Sequence, residues 1–503
     1  MSDGQTSGRH VTGWAVLAIC CVAQFMVVLD ISIVNVALPA MRKSLHLSVS
    51  GQQWVVNAYT LAFAGLLLFG GRAADLFGRK RVFQTGLVLF TLSSLLGGFA
   101  RNGTTIIVAR SLQGLGGAIL APATLSLLMI AFTDPKERTR AMGVWGATAA
   151  GGGAVGSVLG GLLTDLVSWR WVLFVNVPLG VALLVASTVA LAESKGRISR
   201  IRDLDIPGTI SVTAGMVALA YGIVGTESRP WGSAETIAWI GAGVALLLVF
   251  LAIERFSPNP LVPLSIFRGR LLAAGNLIAF AVGGAMFGMF FFVSLYLQQV
   301  LRYSPLSAGL AFLPMTIGII IGAQVGTRNV ARFGLRWMAM LGLLMFAGGQ
   351  AWLSRISPDG SFMANIFGPS VILGVGMGLV MPSMVLAAVS GVPPQQSGLA
   401  SGLVNTSRQV GAALGLAVLS TIATHRTDTL THAGRTAGVA LTSGYSRGLL
   451  VSSVMAAVGA ALTLLLPVRP SAGPRPAAPA PRPQGEATVA AGEPLVAAIE
   501  PAE

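Results

Sequence analysis

The sequence predicts an all-α integral membrane protein of about fourteen transmembrane helices, set as two six-helix bundles plus two inserted helices, with both termini cytoplasmic. Three observations lead there. Of the 503 residues, 54% are hydrophobic and only 10% are charged, whereas a soluble globular chain is about one quarter charged. Apolar runs of roughly 18 to 25 residues, each able to cross a hydrocarbon core as a helix, recur from Trp14 to Leu466 with short charged or Pro/Gly breaks between them. Lys and Arg are unevenly shared: with a cytoplasmic start, about 21 lie on or beside inner segments and about 10 on outer ones, which is the positive-inside bias. A soluble enzyme of this length is excluded.

Along the chain, residues 1–11 and the Pro/Ala-rich 469–503 offer little for a core and are expected to be disordered, the latter as a cytoplasmic tail. Residues 12–192 form the first bundle, with spans at 14–38, 53–71, 83–100, 105–132, 141–163 and 171–192. The first run is too long for a cleaved signal peptide and is read as an anchor. Residues 193–258 hold the inserted spans seven and eight, 206–226 and 237–256. Residues 259–468 form the second bundle, with spans at 273–301, 306–327, 337–357, 365–391, 399–424 and 447–468. Positive charge gathers at Arg72 to Arg81, Lys136 to Arg140, Lys195 to Arg202 and Arg328 to Arg336, the segments placed inside. A weak repeat pairs Gly71 to Arg79 with Gly326 to Gly334 after the second span of each bundle. Doubled architecture of this kind puts a transport site between the halves near the midplane.

Asp30 is the one carboxylate well inside a span, where a charge costs about 2.5 to 3.5 kcal/mol on insertion scales. Ala23 and Ala37 lie seven residues to either side on nearly the same helical face, which suits close packing or a cavity better than lipid. Either a structural acid held by neighbouring donors or a site of proton uptake and release fits, and the intramembrane setting favours the second. Arg110 in span four shares a face with Gln113, Gly114 and Gly117 and is the matching cation, read as biasing the proton site rather than snorkelling. Arg408 lies near the cytoplasmic third of span thirteen, where snorkelling and function weigh evenly.

Span five carries two rows of small residues four apart, Thr148, Gly152, Gly156, Gly160 and Ala149, Gly153, Ser157, Gly161, a surface for close helix packing and for a moving seal. The turn Gly71 to Arg81 sets Asp75 among Arg72, Arg79, Lys80 and Arg81, with Gly71 and Gly78. It reads as a gating loop in which Asp75 latches one conformation against a helix N-terminus or these arginines. Spans nine and twelve are rich in Phe and Met, including Phe287, Phe290, Met286, Met377 and Met381; such surfaces suit varied apolar ligands, although core packing explains any single one as well.

Other chemistry is missing from the sequence. The net charge of +15 is explained by inner loops and calls for no nucleic acid. None of Lys43, Lys80, Lys136 and Lys195 follows a glycine, so no P-loop for ATP is present. His10, His46, His425 and His432 fall in loops, tails or span ends, leaving no buried base for a hydrolase. Cys20 and Cys21 are adjacent in one helix and supply neither a disulfide framework nor metal spacing. No metal, cofactor or enzymatic activity is expected.

At these residues the sequence resembles the major facilitator superfamily and, within it, the fourteen-helix drug:proton antiporter family. The likeness rests on Leu29 to Pro39, Gly71 to Arg81, Arg110 to Gly114, Gly143 to Gly161, Trp169-Arg170-Trp171 and Asn176 to Gly180. It implies the major facilitator fold, with spans one, four, nine and twelve beside a central cavity and Asn35, Gln113, Phe287 and Met377 as candidate lining. It further implies Asp30 as the proton- and substrate-coupling residue of a multi-pass exporter in a bacterial inner membrane, exchanging small amphipathic drugs or antibiotics for protons. One departure stands out: the fifth-helix motif usually reads Gly-Pro, and here Gly156 is followed by Ser157, which bends a helix less firmly than proline. Arginine outnumbers lysine by about 29 to 4, as in GC-rich bacterial coding, which fits antibiotic self-resistance. A proton-coupled uptake symporter and a non-transporting receptor are the alternatives.

Overall fold

The computed structural model describes residues 4–193, 204–226, 229–258, 260–389 and 397–466. The Lys195 to Arg202 segment and the 469–503 tail lie outside the described residues, as does the side chain of Asp75. The first bundle comprises α1 (Gly4–Leu45), α2 (Val49–Phe77), α3 (Arg79–Gly98), α4 (Gly103–Ala131), α5 (Pro135–Leu166), the short α6 (Trp171–Phe174) and α7 (Asn176–Ala190). The inserted pair is α8 (Ile206–Gly225) and α9 (Ala234–Phe256). The second bundle comprises α10 (Arg270–Leu295), α11 (Pro305–Leu310), α12 (Leu313–Phe333), α13 (Leu335–Leu353), α14 (Gly368–Val389), α15 (Ser397–His432) and α16 (Ala437–Leu462). The first helix begins at Gly4, within the segment whose composition reads as an unstructured tail.

Helix starts follow local chemistry. Asn102 accepts from the Thr105 amide at 2.8 Å, and Asp134 accepts from the amides of Lys136 and Glu137 at 2.9 and 3.0 Å, each satisfying donors that have no partner within the helix. Eleven helices among the described residues are long and apolar enough to cross a membrane. The other long helices, α3, α13 and α15, pack into the same bundles against α4, α14 and α10 respectively.

The two bundles are built alike. In the first, α1 packs on α5 and α7, α2 on α4, and α3 on α4 and α7; in the second, α10 packs on α15 and α16, α12 on α14, and α13 on α14 and α16. The equivalent turns after α2 and α12 centre on Gly78 at φ 96° and Gly334 at φ 83°, a region open to glycine and strained for other residues. The structural equivalence therefore pairs Phe77-Gly78 with Phe333-Gly334, one residue away from the register the sequence repeat suggests. It also shortens the expected gating loop to a single residue: Gly71 and Asp75 belong to α2, and Arg79 already opens α3.

The halves meet unevenly. Where α1 ends, Ser294 donates to the Asn35 carbonyl at 3.0 Å and Gln298 to that of Val36 at 2.9 Å, and α5 packs on α11. Toward the opposite end, nothing lies within 4 Å of a side chain built at Gly143, Gly146 or Gly151. The inserted α8 docks on α2 and α15, while the described part of α9 buries only Thr236, Gly243 and Glu254.

Candidate transport site

The sequence puts Asp30 in the middle of α1, and four other helices close around it. Asp30 is 0% exposed and Arg110, on α4, is 2% exposed. The Arg110 Nη1 group donates to Asp30 Oδ2 at 2.5 Å and to Gln113 Oε1 at 2.6 Å. Gln113 Nε2 donates in turn to Asp30 Oδ1 at 2.7 Å and to Ser94 Oγ, from α3, at 2.5 Å. Asn176, the first residue of α7, adds a donor to Asp30 Oδ1 at 3.0 Å. From α2, the Val55 carbonyl accepts from Arg110 Nε at 3.2 Å, and the Tyr59 ring lies under the guanidinium with its centroid 4.3 Å away.

The arrangement offsets the cost of burying two charges. Each ion faces its opposite and also meets neutral partners, so neither is left alone in a dry interior. Sequence reasoning found Asp30, Arg110 and Gln113, which the fold brings together. It missed Asn176, Ser94 and Tyr59. Asn176 sits in a stretch that carries the family likeness, but an uncharged amide gives no signal of its own.

The other candidate residues lie elsewhere. Among the described residues, the hydrogen-bond partners of Asp30 all come from the first bundle, so the carboxyl is sealed within one half and does not line a space between the halves. Asn35 spends its side-chain amide on the Ile31 carbonyl at 3.0 Å, in the seam with α10. Phe287 and Met377 are 6% and 4% exposed, and Met377 packs within the main apolar core. Both side chains are packed inside the protein. Arg408 is half-buried on α15 and donates to Asn405 Oδ1 at 2.8 Å. His425, Asp428 and His432 of α15 line a cleft of about 240 Å³ beside Trp231 and Thr226.

The two glycine rows of α5 serve different neighbours. Side chains added at Gly152, Gly156 and Gly160 would fall 3.0, 2.8 and 2.7 Å from the carbonyl oxygens of Phe25, Leu29 and Ile33, so this row lets α5 lie along α1 beside Asp30. Gly161 of the second row abuts Pro305, and the Ser157 carbonyl abuts Gly309 of α11. Ser157 Oγ donates back to the Gly153 carbonyl at 3.2 Å, the local bond by which serine strains a helix. At the α2 end, Arg72 donates to the Pro260 carbonyl at 2.7 Å. Lys80 donates to the carbonyls of Thr188 and Leu191 at 2.9 and 2.7 Å, a cation at the end of α7. A side chain added at Gly71 would meet Pro122 of α4 at 3.6 Å, and Arg79 is half-buried.

A doubled helical membrane bundle with an ion pair sealed inside one half belongs to the two-bundle class of membrane transporters. The chain is a member of the major facilitator superfamily: the family model of that description matches residues 20–416. It is 40% identical over 456 residues to the puromycin resistance protein pur8 of Streptomyces alboniger, covering 90% of each chain. It is 42% identical over 422 residues to the cephamycin export protein CmcT of Amycolatopsis lactamdurans, covering 83% of this chain and 86% of that one. Among solved structures, the POT family transporter PepTSo aligns with a TM-score of 0.65 at 14% identity, over 90% of this chain and 99% of that one. The chain is accordingly a multi-pass protein of the bacterial inner membrane.

Proposed function

We propose that this protein is a proton-coupled antiporter that exports small organic drugs or antibiotics from the cytoplasm, with fourteen transmembrane helices and both termini inside. The names of its relatives, among them a puromycin resistance protein and a cephamycin export protein, support export of an antibiotic. In this reading α3, α13 and α15 also cross the membrane, and the closed end, where α5 meets α11, is the outer one. The conformation is then open to the cytoplasm.

The observation that carries the proposal is the sealed pair of Asp30 and Arg110. With Asp30 ionised, Arg110 is held inside the first bundle. A proton arriving from outside neutralises Asp30 and frees Arg110, and the α1–α5 pair beside it shifts against α11, returning the empty carrier inward. Cargo between the halves acts on Asp30 through Arg110 and Gln113. One proton moving through 100 mV supplies about 2.3 kcal/mol and one pH unit about 1.4. Together they sustain roughly a 500-fold gradient of a neutral drug.

The test is flux in proteoliposomes carrying an imposed pH gradient, with a panel of antibiotics as cargo and an uncoupler as control. Asp30→Asn is expected to reach the membrane and to lose proton-driven export. Full pH-driven export by that variant overturns the assignment. Cargo that moves in the same direction as protons points to the symport alternative.

A further inference from the structure

A second pair of ionisable groups is buried far from Asp30 in the chain. Asp205 caps α8 and Glu254 closes α9, and they are 6% and 3% exposed. Glu254 is exceptional on its helix, since the rest of α9 mostly faces outward. Its carboxyl lies within hydrogen-bonding reach of the Asp205 carboxyl and beside the Arg72 guanidinium. Glu254 Oε2 accepts from the Val262 amide at 3.0 Å, and Asp205 Oδ1 from the Gly208 amide at 3.2 Å. The remaining oxygens, Glu254 Oε1 and Asp205 Oδ2, are buried and have no donor among the described residues.

Among the described residues, two buried carboxyls in contact, with the charge of one guanidinium acting on Glu254, leave one negative charge uncompensated and two lone-pair oxygens unsatisfied. A single added proton removes both defects, because an acid O–H on one oxygen donates to the other, as in paired carboxyls that cannot both ionise. The groups acting on Glu254 are Asp205 from α8 and Arg72 from α2; the linker into the second bundle contributes backbone, through Val262 and through Pro260, which accepts from Arg72 at 2.7 Å.

We infer that Glu254 holds a proton that it donates to the Asp205 carboxylate, forming a proton site that clamps the α8–α9 hairpin to α2 and to the linker into the second bundle. Loss of that proton sets two like charges against each other and makes Glu254 a stronger acceptor for the Val262 amide. The site is independent of the antiport reading, and it makes the hairpin a sensor of pH on the face where the α2–α3 turn lies.

Infrared difference spectroscopy on the full chain in lipid, between neutral and alkaline pH, tests the inference. A protonated-carboxyl C=O band is expected in the wild type and in Asp30→Asn. It should be lost in Glu254→Gln and, should that variant fail to fold, in Asp205→Asn. In parallel, the hydrogen-exchange protection factor of the Val262 amide should rise on alkalinisation in the wild type, as ionised Glu254 accepts from it more strongly, and hold in Glu254→Gln, whose amide both donates and accepts. A purely structural contact would not change protection with pH. A band that survives both substitutions, a band that disappears in Asp30→Asn, or a Val262 protection factor that ignores pH overturns the inference.

Discussion

Replacing Arg110 by methionine tests the buried pair directly. The substitution keeps most of the side-chain volume and removes the charge, leaving Asp30 at 0% exposure with only Gln113 Nε2 and Asn176 Nδ2 as donors, at 2.7 and 3.0 Å. Stranding one partner of a buried ion pair costs about 3–5 kcal/mol. Asp30 can escape by taking up a proton. An aspartic acid in water releases its proton near pH 4, so keeping it neutral at pH 7 costs about 4 kcal/mol, at about 1.4 kcal/mol per pH unit. The two routes agree, so Arg110→Met should lose about 4 kcal/mol at pH 7. Because the variant's folded state then binds a proton that its unfolded state releases, acid favours it, and each pH unit downward restores about 1.4 kcal/mol until the ordinary aspartate range is reached. Denaturation midpoints of the purified protein in nanodiscs, from pH 7 to pH 5, supply the assay, with Asp30→Asn/Arg110→Met as the companion. The double variant has no stranded charge and should be more stable at pH 7 than Arg110→Met, with little pH dependence. A single variant as stable as wild type at pH 7, or no more stable at pH 5 than at pH 7, refutes the view that Asp30 is ionised and held by Arg110.

The remaining expectations follow from packing and backbone. Gly156→Leu should cost about 1–3 kcal/mol by overpacking against α1, whereas Gly146→Ala, with open space around it, should gain up to about 1 kcal/mol of helix propensity; melting temperatures of the two variants should shift in opposite directions. Gly78→Ala, at φ 96°, should lose roughly 1–3 kcal/mol to backbone strain, read from the same melts.

The sequence alone determined the solvent and the helices, because a chain that is 54% hydrophobic and 10% charged satisfies its backbone in lipid only by folding into helices. It also exposed Asp30, since a lone carboxylate at mid-span is conspicuous wherever its partners lie, and it marked the α5 face, since small residues four apart align on one side of a helix whatever packs there. Which neighbours those residues meet was decided by tertiary structure. Arg110 follows Asp30 by 80 residues and Asn176 by 146, and no local pattern encodes such a contact. Phe287 and Met377 have the same composition in a core as in a cavity wall, and only the fold shows them buried. Glu254 illustrates the limit most sharply: at the end of an apolar run it reads as an ordinary interfacial charge. Its burial against Asp205, Arg72 and Val262 depends on how α8 docks on α2 and how the linker turns back, and desolvation is set by neighbours in space, which the order of residues in one helix does not specify.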